Sequence, residues 1–114
     1  MKEADMEPLV NLDYEEVRRG LDEGAILLVD VRETYEYEAG HIPGSLSVPL
    51  STLIPAAIPD GRGRRLVFSC KAGVRSAQAV ALMRQAGHPL REHYRGGFAD
   101  WLARGGAVAF GPDD

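Results

Sequence analysis

Hydrophobic positions along the chain fall into short runs of strand length, separated by stretches with helical spacing. Ile26-Leu27-Leu28-Val29-Asp30-Val31 is an apolar run interrupted only by Asp30. Such a run reads as a strand buried on both faces. Arg64-Arg65-Leu66-Val67-Phe68-Ser69 ends in a second run of the same kind. Ahead of both, Leu9-Val10-Asn11-Leu12 predicts a short first strand. Asp13, with Glu16 three residues on, has the spacing of a capping box and opens a helix that stops near Gly24. A short helix follows Thr34 and ends at Gly40, and Pro43-Gly44 marks a turn before a weak strand at Leu46-Ser47-Val48. Ser51 caps a helical turn that Pro55 limits, and Gly61-Arg62-Gly63 is a loop. Arg75 to Ala86 is Ala-rich and predicts a good helix, with Gly87 at its C′ position. Leu90 to Tyr94 is a further strand, and Gly96-Gly97 opens a last helix from Phe98 to Arg104.

Strands alternating with helices on this scale predict an α/β fold, a parallel sheet covered by helices on both faces. No internal repeat or linker interrupts the pattern. The expected organisation is a tail over residues 1–8, one domain over 9–105, and a loose tail over 106–114. The 114 residues fit one domain, since domains commonly run to about 100–200 residues.

Composition narrows the function classes. Lys and Arg number 13 against 17 Asp and Glu, a net charge of −4. A nucleic-acid partner is therefore not expected, because affinity for phosphates comes from excess Lys and Arg. The charge is uneven, with nine basic and two acidic residues between 62 and 104. This basic stretch surrounds the single cysteine, Cys70. One cysteine forms no internal disulfide, the start Met1-Lys2-Glu3-Ala4-Asp5 has no apolar signal region, and the longest apolar runs fall far short of the ~20 residues of a membrane span. The expectation is a cytoplasmic protein with no membrane partner.

The chemistry concentrates in Phe68-Ser69-Cys70-Lys71-Ala72-Gly73-Val74-Arg75-Ser76, a strand end, a short loop and a helix start. Ligands in open α/β sheets bind at the carboxyl ends of strands. A loop there turns backbone N–H groups toward one point, a nest for an anion, and the helix start adds more. Gly73 permits the positive φ that such a curl requires. Cys70 in that cradle, near Lys71 and Arg75, is expected to have a lowered pKa and to act as a nucleophile without a histidine partner. Against this stands the commoner role of a lone cysteine as a small buried hydrophobe. The pattern C-x-x-G-x-R between a buried strand and an Ala-rich helix favours the nucleophile.

The sequence resembles the single-domain rhodaneses. The resemblance rests on Leu28-Val29-Asp30-Val31-Arg32-Glu33, Gly40-His41-Ile42-Pro43-Gly44-Ser45, Cys70-x-x-Gly73-x-Arg75-Ser76 and Gly96-Gly97-Phe98-x-x-Trp101, in that order from about Asn11 to Gly105. It implies a rhodanese-like fold, a five-stranded, mainly parallel sheet with flanking helices. It also implies a sulfurtransferase in which Cys70 takes a sulfane sulfur from thiosulfate or a similar small anionic donor as a persulfide. The sulfur then passes to cyanide, a thiol or an acceptor protein, with no cofactor and no metal. Lys71, Ala72, Gly73, Val74 and Arg75 become the substrate-binding loop, and Asp30, Arg32 and Ser76 its support. A basic residue at Lys71 fits relatives that use thiosulfate, while the uncharged Ala72 points to weak turnover.

Outside the loop the readings are structural. Arg75 is divided evenly between substrate contact and bracing against a carboxylate, for which Asp30 is one partner. Arg32 and Glu33 are expected to pair with each other, His41 to be a hydrogen-bonded structural histidine, and Trp101 to be core. His88 and His93 lack zinc-ligand spacing with Cys70. Arg91 and Arg95 are solvated or form a face for an acidic partner. Two rival functions remain: a cysteine phosphatase or arsenate reductase, disfavoured by C-x4-R in place of C-x5-R, and a non-catalytic module of the same fold.

Overall fold

The computed structural model describes residues 8–112. Strand β1 (Val10–Leu12) leads into α1 (Tyr14–Asp22), then β2 (Ile26–Asp30), α2 (Thr34–Ala39) and β3 (Leu46–Ser47). After two 3₁₀ turns and a loop at Gly61–Gly63 come β4 (Arg65–Ser69), α3 (Val74–Gln85), β5 (Glu92–Tyr94) and α4 (Gly97–Ala103). The strands form one five-stranded sheet in the order β1-β5-β4-β2-β3, and every pairing is parallel. The middle strand, β4, carries the cysteine at its carboxyl end.

Alternation along the central strands explains why both faces are covered. Leu27, Val29, Leu66 and Phe68 point to one side, where they meet Ala79, Val80 and Met83 of α3. Ile26, Leu28 and Val67 point to the other, against Val17 of α1 and Trp101 of α4. Each such side chain, fully buried, contributes about 1.5–3 kcal/mol. The capping box forms as expected: Glu16 N–H donates to Asp13 Oδ1 at 2.9 Å, and Asp13 N–H to Glu16 Oε1 at 3.0 Å.

Several expectations need correction. Pro55 does not end a turn capped by Ser51; it begins a second one (Pro55–Ala57), after a turn at Leu50–Thr52 flanked by Pro49. The fixed φ of proline suits the first position of such a turn. Gly61-Arg62-Gly63 is a loop, as expected, with all three residues at positive φ (+80°, +52° and +85°). Between Gly106 and Gly111 the chain is held rather than loose. Trp101 Nε1 donates to Ala107 O at 2.7 Å, His41 and Ala109 exchange two backbone hydrogen bonds at 2.9 Å, and Gly111 N–H reaches Glu38 O at 2.9 Å. Residues 1–7 of the expected 1–8 tail, and residues 113–114 of the second, lie outside the described residues.

The expected Arg32–Glu33 pair is replaced by a buried one between Arg32 and Asp30. Arg32 Nη2 lies 2.8 Å from Asp30 Oδ2, with the two side chains only 5% and 6% exposed. Arg32 Nε and backbone N–H also donate to Asp30, and Nη2 donates to Gly40 O at 2.9 Å. The guanidinium lies 4.5 Å from the centre of the Phe98 ring. Glu33 instead accepts from the Ser51 hydroxyl at 2.8 Å. Removing one member of a buried pair strands the other's charge. Asp30→Ala is therefore expected to cost about 3–5 kcal/mol in urea unfolding; a loss under about 1 kcal/mol, typical of a surface pair, would contradict this arrangement.

Candidate active site

Strand β4 delivers Cys70 to the centre of the sheet's carboxyl edge, where the residue is 1% exposed. The loop that follows is shaped from behind by α4. Phe98 N–H donates to Cys70 O at 2.8 Å and Ala99 N–H to Lys71 O at 3.0 Å. A carbonyl and the next N–H point in opposite directions across a planar trans peptide. Holding these oxygens toward α4 therefore turns the N–H of Lys71 and Ala72 the other way, and Ala72 N–H faces the sulfur. Gly97, at φ +65°, makes the approach possible: a Cβ there would lie 2.5 Å from Cys70 O. Gly73, at φ +93°, turns the chain into α3, and a Cβ on it would collide with the Arg95 carbonyl.

The sulfur sits among donors. Gly73 N–H donates to Cys70 Sγ at 3.1 Å, and Sγ lies 3.6 Å from Ser76 Oγ. Burial pushes the Cys70 thiol up, but the Ser76 hydroxyl and the N–H groups of Ser76, Ala72 and Gly73 outweigh it and hold the thiol below its usual value. The leading contributions are hydrogen bonds rather than the charges of Lys71 or Arg75 anticipated from sequence.

Arg75 braces the loop. Its Nη1 and Nη2 lie 2.6 and 3.1 Å from the two carboxylate oxygens of Glu36 in α2. The partner is Glu36, which sequence reasoning did not single out, and not Asp30, which is taken by Arg32. The Arg75 hydrogen bonds, outweighing a smaller opposing effect of burial, lower the Glu36 pKa to about 2. Lys71, Ala72 and Val74 are exposed along the rim. Lys71 and Arg95 have no carboxylate partner among the described residues. Clefts of about 390 and 380 Å³ flank the loop. The first is lined by Lys71, Tyr35, Phe98 and Leu102, the second by Ala72, Tyr94, Arg95 and Arg104.

Ser76 does more than support the loop. Its hydroxyl lies 2.7 Å from His93 Nδ1, and His93 Nε2 lies 2.7 Å from Asn11 Oδ1. Neither His93 nor Asn11 was anticipated as a partner of the site; Asn11 stands out only as a polar residue between Val10 and Leu12, and His93, in Glu92-His93-Tyr94, carries no such signal. His41 is structural as expected, fully buried, stacked on Tyr37 and bonded to Tyr37 O at 2.8 Å. Trp101 is core, 5% exposed.

A thiol of lowered pKa at the end of the middle parallel strand, in a curl of N–H groups, is built for nucleophilic attack that leaves an anion on sulfur. The family model for the rhodanese-like domain matches residues 13–104. The chain belongs to the rhodanese-like family. Human thiosulfate:glutathione sulfurtransferase is 36% identical over 111 residues, covering 85% of this chain and 95% of that protein. A human single-domain sulfurtransferase structure superposes with a TM-score of 0.70 at 33% identity, over 82% of this chain and 96% of that one. The tRNA uridine(34) hydroxylase of Erwinia tasmaniensis is 33% identical over 95 residues, 78% of this chain but 27% of that protein. The chain spans 66%, 45% and 27% of the lengths of three curated relatives, so it corresponds to only part of those proteins. No helix among the described residues is long and apolar enough to cross a membrane.

The Glu36–Arg75 pair sets a pH dependence. Glu36 has its pKa depressed from 4.5 to about 2, so its stabilisation is fully present above 4.5 and disappears as pH falls through about 2. Glu36→Gln is expected to be less stable than the parent at neutral pH. The gap between their urea midpoints should narrow below pH 4.5 and close near pH 2, and a gap that stays constant with pH would rule out the charged pair as its source.

Proposed function

We propose that this rhodanese-like chain is a thiosulfate sulfurtransferase working through a Cys70 persulfide. The observation that carries the reading is the seat of Cys70 Sγ, 3.1 Å from the Gly73 N–H at the focus of the loop amides. Thiosulfate, drawn in by the rim charges of Lys71 and Arg95, presents its outer sulfur to the Cys70 thiolate. A bond forms between Sγ and that sulfur, the bond to the sulfonate sulfur breaks, and its electron pair leaves with sulfite. The persulfide terminus is an anion, and the amides that favoured the thiolate stabilise it in turn. A thiolate acceptor or cyanide then attacks the terminal sulfur, and Cys70 departs as thiolate. Two half-reactions on one nucleophile give ping-pong kinetics.

A small thiol or an acceptor protein is the natural second substrate, and a reducing compartment such as the cytoplasm keeps Cys70 free. The similarity to human thiosulfate:glutathione sulfurtransferase over nearly its whole length supports this substrate class. The phosphatase alternative is disfavoured because the Arg75 guanidinium is engaged by Glu36 rather than turned into the loop.

Intact mass spectrometry tests the reading. Thiosulfate should add one sulfur atom to the protein, cyanide should remove it, and Cys70→Ser should show neither change. No added sulfur, with hydrolysis of an aryl phosphate instead, would overturn the proposal. Lys71→Ala is expected to raise KM for thiosulfate about two- to fivefold with kcat little changed, as loss of one exposed attracting charge does. An equal fall in kcat would place Lys71 in the chemical step.

A further inference from the structure

The Cys70 side chain is buried at 1% exposure, yet its mechanism requires it to lose a proton. Behind it runs an unbroken file of polar side chains from three other elements. Ser76 on α3 is 3.6 Å from Sγ, His93 on β5 is 2.7 Å from Ser76, and Asn11 on the edge strand β1 is 2.7 Å from His93. Ser76 is fully buried and His93 is 2% exposed, whereas Asn11 is exposed. A purely apolar filling would serve the core better, since each buried polar group must be repaid by hydrogen bonds.

We infer that His93 accepts the Cys70 proton through the Ser76 hydroxyl, making it a positioning residue for the thiolate; this rests on Cys70 being the nucleophile. Asn11 presents its carbonyl Oδ1 to Nε2, so Nε2 carries the hydrogen and Nδ1 offers its lone pair to Ser76. In the resting chain the thiol donates to Ser76 Oγ, Ser76 donates to Nδ1, and Nε2 donates to Oδ1. When the thiolate forms, the Sγ–H bond breaks and the proton joins Ser76 Oγ, while the original Ser76 proton joins Nδ1. The outcome is a thiolate and an imidazolium separated by one hydroxyl, which now donates to sulfur. No proton leaves the protein and no further reactant is needed.

The surroundings keep the imidazole ready as a base. Burial, with the Arg95 charge adding to it, holds its pKa below the ordinary value, so it is neutral at neutral pH. Phe68, its register partner on β4, is apolar, Asn11 on β1 and Ser76 on α3 are uncharged, and Arg95 lies two residues on, just past the end of β5. Cys70 is the group in this file whose ionisation brings a negative charge to compensate an imidazolium.

The experiment is the pH dependence of Cys70 alkylation by iodoacetamide, a reaction that needs thiolate but no sulfur transfer. His93→Asn leaves Ser76 a hydrogen-bonding neighbour and removes the base. It should slow alkylation about tenfold or more near neutral pH, equivalent to a pKa displacement of about one unit. The difference should vanish at alkaline pH, where hydroxide takes the proton instead. A loss that is the same at every pH, or no loss, overturns the relay, because a structural histidine would not change the shape of the profile. Should His93→Asn fail to fold, imidazole ¹⁵N NMR on the unaltered chain replaces it. Blocking Cys70 with iodoacetamide should lower the His93 midpoint, since coupling between the two ionisations is reciprocal; an unmoved midpoint overturns the proposal. A chain that shows the relay profile but gains no sulfur from thiosulfate keeps the relay and loses the proposed substrate. Sulfur gain with an unchanged His93→Asn profile does the reverse.

Discussion

The close docking of the start of α4 on the carbonyls of Cys70 and Lys71 governs the site, because it sets which way the loop's amides face. Each carbonyl drawn toward Phe98 and Ala99 sends the following N–H toward the sulfur side. The approach is so tight that a side chain at Gly97 would fill the space occupied by both oxygens. The tandem glycines and Cys70, distant in the chain, therefore form one structural unit. A cradle that favours negative charge on the Cys70 sulfur is made by backbone orientation rather than by a dedicated cationic side chain.

Arg75, divided in the sequence between substrate contact and bracing, and Arg32, read there as loop support, both hold this unit in place. Arg32 ties the end of β2 to α2 through Asp30 and Gly40 O, and lies over Phe98 of α4. Arg75 ties the start of α3 to α2 through Glu36. Both pairs are partly or wholly removed from water, where an unmatched charge is costly and geometry is correspondingly well defined. Among the described residues around the loop, Lys71 and Arg95 are left to meet a solution anion, on the rim beside clefts of different character. The apolar cleft with exposed Tyr35 contrasts with the more polar one beside Arg95 and Arg104.

Legibility in the sequence follows the range of the interactions. The buried strands β2 and β4 and the Asp13–Glu16 cap were readable because their signals lie within a few neighbouring residues. So was the Cys70 cradle, whose cysteine, glycine and helix start sit within one short segment. Several misread features depend on partners far along the chain, whereas Arg32 pairs with Asp30, two residues away, in place of its neighbour Glu33. Pro55 suits either a stop or a start until the flanking turns are known, and the glycine-containing end looks free until Ala109 meets His41. Glu36 is 39 residues from Arg75, His93 is 17 from Ser76, and Asn11 is 82 from His93. No local pattern ties any of these pairs together.

The buried central strands, the capping box and the cysteine–glycine–helix-start order around Cys70 were determined by the sequence by itself, because each is written in neighbouring residues. Parallel pairing in the order β1-β5-β4-β2-β3 decided the rest. It set β5 between β1 and β4, which alone brings Asn11, His93 and Ser76 into line behind the sulfur. It also brought α2 and α4 to the same sheet edge, giving Arg75 its carboxylate and the loop carbonyls their donors. Hydrogen bonds and ion pairs act over a few ångströms, so which groups they join is a property of folded space and not of distance along the chain.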